Sequence, residues 1–232
     1  MSLPRDILRN HNKVHIMVDH MFVQGIQFLT TISHELKFRT AEAQYAHKKG
    51  ARKEDMLSGL NKVINLYQSR GLEVETIHAD NEFKCVREEL RPIILDVTAA
   101  DQHVSMIERS IRTIKDRTRS QIQFLPYTKY PRNMIVGCVV FSIKSLNNEI
   151  GMCKLSSEDS PHTLVTRQPP LNYEEMTAMS YGDYTEVYAA KNVKNNNEER
   201  TTSAIALYPS NNAQGGWMFM SLSTGRILHR KQ

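Results

Sequence analysis

Cysteine is scarce: Cys85, Cys138 and Cys153 are the three in 232 residues. Their wide spacing offers neither a disulfide framework nor a zinc knuckle, and all three read as packing residues. His11 and His15 have no CxxC partner, so no zinc module is expected near the start. Long apolar runs are missing too. The longest, Met134 to Ile143, is closed by Lys144 and is too short to cross a bilayer, so no membrane partner is expected. The opening MSLPRDILRNHNK has basic residues but no apolar segment behind them, which excludes a secretory leader. There is no clear targeting signal and no internal repeat, and the reading is an intracellular protein. With 40% apolar and 24% charged residues, the composition is that of a chain that builds a core.

A small excess of positive charge is present, 30 Lys and Arg against 25 Asp and Glu. Its placement matters more than its size. Arg109, Arg112, Lys115, Arg117 and Arg119 fall within eleven residues, which points to a polyanion partner.

Periodicity orders the chain. Residues 14 to 45 alternate as three antiparallel strands turning at Gly25. Met56, Leu57, Leu60, Val63, Ile64 and Tyr67 then recur at helical spacing, with Gly71 where a C-terminal glycine belongs. A strand is expected at 74–80, a short helix around 84–90 stopped by Pro92, and a strand at 93–99. Val104, Ile107, Ile111 and Ile114 mark a helix to about Arg119, and Pro131 opens another to about residue 147. Residues 148–180 read as irregular. Beyond Tyr181, YTEVYAA, TSAIALY, WMFMSL and RILHR alternate with glycine and asparagine turns, as in a small antiparallel β-barrel. Trp217 is expected in its core or on its face, and KNVKNNNEER reads as a mobile hairpin loop. The expected division is a core at 1–150, a Pro-containing connection at 151–180 and a small β domain at 181–232.

Three acids stand at suggestive places: Asp19 in the first strand, Asp80 at the end of the fourth, and Glu108 in the first turns of the basic helix. If the fourth strand lies beside the first, Asp19 and Asp80 are neighbours, and a helix crossing that edge brings Glu108 to them. Such a cluster repels itself unless cations intervene, and hard oxygen ligands suit Mg²⁺ or Mn²⁺. Arg112 and Lys115 follow Glu108 by four and seven residues on one helix face, a pattern suited to phosphoryl transfer on DNA. His78 and His103 lie near this site and read as structural.

HADNEF (78–83), IERSIRTIK (107–115) and VDHMFVQGIQFLTTIS (18–33), with SPHTLVTRQPP (160–170), AQGG (213–216) and FMSLSTGR (219–226), resemble the integrase segment of Ty1/copia-type LTR retrotransposons. The resemblance spans nearly the whole chain. It implies a ribonuclease-H-like mixed α/β sheet with flanking helices followed by an SH3-like barrel. It also implies a catalytic metal triad of Asp19, Asp80 and Glu108 holding Mg²⁺ or Mn²⁺. Asn81, Arg109, Arg112, Lys115 and Arg119 would contact nucleic acid. The implied activity is DNA 3′-end processing and strand transfer, with retrotransposon ends and target DNA as partners, a homo-oligomer as the active form, and a nuclear location. Two features depart from the pattern: Asp80 and Glu108 are only 28 positions apart, and the glycine usual after the second acid is absent. The chain reads as a piece of a polyprotein or an isolated copy. Two alternatives stand beside the integrase reading, an inactive DNA-binding derivative and a purely hydrolytic nuclease.

Overall fold

The computed structural model describes residues 12–44, 53–97, 105–153, 155–168, 173–189, 197, 199–210 and 215–230. His103 and most of KNVKNNNEER lie outside them. The chain divides into two compact units, residues 1–116 with 143–170 and residues 117–142 with 171–232. The division falls inside two helices, whereas the sequence texture places boundaries near residues 150 and 180.

The first unit is built on a sheet of β1 (Lys13–Val23), β2 (Ile26–Ser33), β3 (Arg39–Ala43), β4 (Glu73–Ala79) and β5 (Ile94–Val97). The strand order is β3-β2-β1-β4-β5. Gln24 and Gly25 both take positive φ in the β1–β2 turn, so the meander is tight there. β2 pairs antiparallel to β1 and β3, while β4 pairs parallel to β1 and β5 parallel to β4. This is the ribonuclease-H-like sheet, with β2 the single reversed strand.

Parallel pairing of β1 with β4 requires a crossover. Helix α1 (Lys53–Gln68) supplies it. Glu54 and Asp55 in its first turn complement the helix dipole, and Met56, Leu60, Val63, Ile64 and Tyr67 form its buried face. They join Val14, Ile16 and Val18 of β1, Leu29 of β2, and Ile77 and Ala79 of β4 in one core. The helix lies so close to β2 that a Cβ on Gly59 would stand 2.5 Å from Leu29 Cδ2. Gly71, at φ +73, turns the chain out of the helix into β4. Met17, Met21, Phe28 and Ile32 are also buried but alternate onto the opposite face.

A 3₁₀ helix, Asn81–Val86, follows β4 at once, ahead of the 84–90 segment where a helix was expected. Helix α2 (Ser105–Gln123) is longer than its apolar stripe foretold, and α3 (Arg132–Asn147) agrees with its expected span. The nominally irregular stretch contains α4 (Pro161–Thr166), capped by Ser160, and α5 (Tyr173–Thr177). Cys138 and Cys153 are buried as expected, but Cys85 is exposed, because the 3₁₀ turn directs Phe83 and Val86 inward and Cys85 out.

The second unit holds β6 (Tyr184–Tyr188), β7 (Thr201–Pro209), β8 (Trp217–Ser221) and β9 (Ile227–Arg230) in an antiparallel sheet of that order. This sheet is compatible with an SH3-like domain. A unit of about 50 residues is marginal unless it buries further surface against neighbours. The sheet does so with helix segments of the same unit: Ile205, Leu207 and Met220 pack with Met134 and Cys138 of α3, and the Tyr181 hydroxyl donates to the Met134 carbonyl at 2.9 Å. Trp217 is buried with Val187, Ala206 and Phe219. Among the described residues no helix is long and apolar enough to cross a membrane.

Within the first unit, Asn147 at the end of α3 bonds the backbone of β3. The Arg39 N–H donates to Asn147 Oδ1 at 2.9 Å, and Asn147 Nδ2 donates to the Arg39 carbonyl at 2.8 Å. Both residues are buried. Replacing Asn147 by Ala strips two buried backbone groups of their partner, and the expected cost is about 1–3 kcal/mol per group left unsatisfied. Urea denaturation of N147A should show the midpoint falling with little change in slope. An unaltered midpoint would mean that the bonds contribute nothing net.

Candidate active site

Strand register decides which acids meet. β1 and β4 run parallel with Val18 opposite Ala79, so one step further along each chain places Asp19 beside Asp80. Both are only partly exposed, and their charges interact. Burial raises the Asp19 carboxyl above its ordinary 3.8. The negative charges of Asp80 and Glu82 add to the rise, and a hydrogen bond from the His20 N–H together with the His20 ring opposes it. That backbone bond is 2.6 Å long, to Asp19 Oδ1.

Asp80 stands in extended conformation at the N-cap of the 3₁₀ helix, yet its side chain makes no capping bond. Its carbonyl closes the first turn instead, accepting from the Phe83 N–H at 3.0 Å. The carboxylate is therefore not committed to holding the turn. Asn81 follows, exposed, as the first residue of that helix.

Glu108 sits in the first turn of α2, exposed, beside the buried Ile107, Ile111 and Ile114 stripe. The early turns of α2 make contacts on the β3 side of the sheet: Lys37 Nζ reaches Met106 Sδ at 3.4 Å, and Arg39 Nε donates to Ser110 Oγ at 3.2 Å. Asp19 and Asp80 are thus brought together, and Glu108 does not complete a three-group cluster with them. Among the described residues no set of three or more His, Cys, Asp or Glu is arranged to hold a metal ion. Two carboxylates side by side do match a hard divalent cation, since Mg²⁺ is commonly bound through one or two carboxylates with the rest of its shell from water and phosphate.

The basic residues follow α2. Arg109 and Arg112 are exposed and Lys115 is half-buried, all in the first unit. Arg119 is exposed on the part of α2 that belongs to the second unit. His78 is engaged: its Nδ1 lies 3.0 Å from Asp96 Oδ2, its partner across the β4–β5 ladder.

Two residues absent from the sequence expectation belong here. His20 Nδ1 lies 2.5 Å from Glu82 Oε1, and the His20 ring stacks on Phe83 with centroids 5.0 Å apart. The hydrogen bond from His20 holds the Glu82 carboxyl below its usual range against an opposing effect of burial. A signal existed: alternation along β1 sends Asp19 and His20 to opposite faces, and His20 shares the face of Ile16 and Val18, where the core lies.

Solved integrase structures resemble this chain. One is the crystal structure of the catalytic core domain of BIV integrase, at 13% identity over 66% of this chain and 93% of that one, with a TM-score of 0.47. Another is the cryoEM structure of the simian T-cell lymphotropic virus intasome in complex with PP2A regulatory subunit B56 gamma, at 13% identity over 94% of this chain and 75% of that one, with a TM-score of 0.49. No family model and no curated protein matches. The ribonuclease-H-like assignment stands on strand order and register.

The raised Asp19 carboxyl has a measurable consequence. Because the folded state holds this proton more tightly than the unfolded chain, the associated stability is present below about pH 4 and is lost as pH rises above it. Asn carries no such penalty. With a chelator present, the Tm of D19N should therefore exceed that of the wild type at pH 7, by about 2–4 °C for each kcal/mol relieved, and the difference should close near pH 4. A wild type more stable than D19N at pH 7 without divalent ions would contradict the geometry.

Proposed function

We propose that this chain is an integrase-type polynucleotidyl transferase that trims DNA ends and joins the new 3′-hydroxyl to target DNA by in-line attack on a phosphodiester. The observation that carries the reading is the parallel β1–β4 register, with Val18 opposite Ala79, since Asp19 follows Val18 within β1 and Asp80 follows Ala79 just past β4. The motifs around these residues, and the basic face that follows Glu108, support it.

In this reading Asp19 and Asp80 hold Mg²⁺ or Mn²⁺, and Glu108, which does not lie with them in this structure, would have to be brought to the pair as the third carboxylate. Such cations, when bound in a pair, lower the pKa of the attacking hydroxyl and stabilise the leaving oxygen. The burial and mutual repulsion that raise the Asp19 carboxyl are what a divalent charge would relieve. Arg109, Arg112 and Lys115 of the first unit hold backbone phosphates, Arg119 of the second unit contacts DNA as well, and Asn81 offers an exposed amide beside the acid pair. DNA ends and target DNA are the partners, a homo-oligomer is the active form, and the nucleus is the place of action. The sheet of the second unit is read as an SH3-like accessory domain, and the motifs name the source as a copia-type retrotransposon.

Joining of a terminal-repeat oligonucleotide to plasmid in Mg²⁺ or Mn²⁺ tests the activity. Products should appear with the wild type and fall about 100-fold or more in D19N, D80N and E108Q, equivalent to losing several kcal/mol of transition-state stabilisation. DNA binding without joining would favour the inactive derivative, and cleavage without joining the nuclease. In a separate binding experiment, R112A/K115A should weaken DNA affinity equally on all sequences. It should also flatten the log K against log salt slope by about 0.9 for each phosphate no longer neutralised. An unchanged slope would place the DNA elsewhere.

A further inference from the structure

Two carboxylates on separate elements keep their spacing only if the elements are tied together. Asp19 is part of a long strand paired on both sides. Asp80 is not: β4 ends at Ala79, and the six-residue 3₁₀ helix that follows receives no side-chain cap from Asp80. Short 3₁₀ turns have poor hydrogen-bond geometry and little stability of their own.

The tie is His20. A carboxylate can only accept, so Nδ1 of His20 is the donor to Glu82. The side chain is 5% exposed, and its ring lies nearly parallel to Phe83, at 22°. Nε2 is buried and makes no hydrogen bond, so the polar hold on this ring is the single bond to Glu82. The same residue's backbone N–H bonds the Asp19 carboxylate. One residue therefore touches both sides of the acid pair: Asp19 through its main chain, and the segment that begins at Asp80 through its side chain.

We propose that His20 and Glu82 are positioning residues, a clamp that fixes the helix after β4 against β1 and thereby sets the separation of Asp19 and Asp80 for divalent cation binding. The cation role rests on the reading given under Proposed function; the clamp itself rests on the bonds just described. It acts through placement rather than charge, because a neutral acceptor at position 82 satisfies the same Nδ1–H.

The full chain with E82A and E82Q separates these roles, Glu82 being exposed enough for either change to leave the core intact. Amide hydrogen exchange across residues 81–86 reads the clamp, and Mn²⁺ titration followed by electron paramagnetic resonance reads its purpose. In E82A, exchange across 81–86 should quicken while β1 and α1 remain protected, and Mn²⁺ affinity should fall about 10- to 100-fold, the usual cost of losing an outer support of a metal site. E82Q should remain near the wild type in both. Unchanged exchange in E82A overturns the clamp. Quickened exchange with unaltered Mn²⁺ affinity overturns its positioning role, and E82Q behaving like E82A shows that charge, not placement, matters. A wild type that binds no Mn²⁺ overturns the cation reading alone, since the exchange measurement still decides the clamp.

Discussion

Parallel pairing of β1 with β4 is the constraint on which the candidate site depends. Parallel strands keep the same direction, so the residue after Val18 in β1 and the residue after Ala79 in β4 are delivered to neighbouring positions, and the crossover through α1 makes this pairing possible. The cost is electrostatic. Asp19 within β1 and Asp80 just past β4, both only partly exposed, repel one another and disfavour double ionisation. A divalent cation, under the proposed function, would relieve that penalty. The core on the α1 side of the sheet, from Val14 through Phe83 and Val86, secures the arrangement from below.

Much of this was legible in the sequence. Alternation in Val14, Ile16 and Val18, and the 3.6-residue recurrence from Met56 to Tyr67, identify β1 and α1, because each side chain is read against the element's own period. Asp19 in the first strand and Asp80 at the end of the fourth were singled out by position, and the register of Val18 with Ala79 agrees with their being neighbours. The 3₁₀ helix was not legible: Phe83 and Val86, three apart, are its only buried pair, too few to signal a period. Ser160 followed by Pro161 is an N-cap and first-turn pair, a helix signal that the surrounding polar residues obscured. Residues such as Ile107 show that α2 has a buried side, but periodicity cannot say which strand a helix crosses. That is why the contacts of Met106 and Ser110 with Lys37 and Arg39, and with them the placement of Glu108, came only from the structure.

The same gap explains the two compact units. The stripe along α2 continues into residues that pack with the second sheet, Ile122 among them, yet nothing in a helical period marks where one set of neighbours gives way to another. The short strands after Tyr181 were visible as strands because their turns are rich in Gly and Asn. That their apolar face would be covered by Met134 and Cys138, 67 to 86 residues earlier in the chain than Ile205, Leu207 and Met220, was not.

β3 is an outer strand of its sheet, and outer strands present unpaired backbone groups that can recruit another chain. At Arg39 those groups are already taken by the side-chain amide of Asn147, which carries both a donor and an acceptor and so behaves as a one-residue strand. A carboxamide fixed there shields this point of the sheet from edge-to-edge association. The two bonds that anchor the end of a helix thus also close one point of the sheet edge.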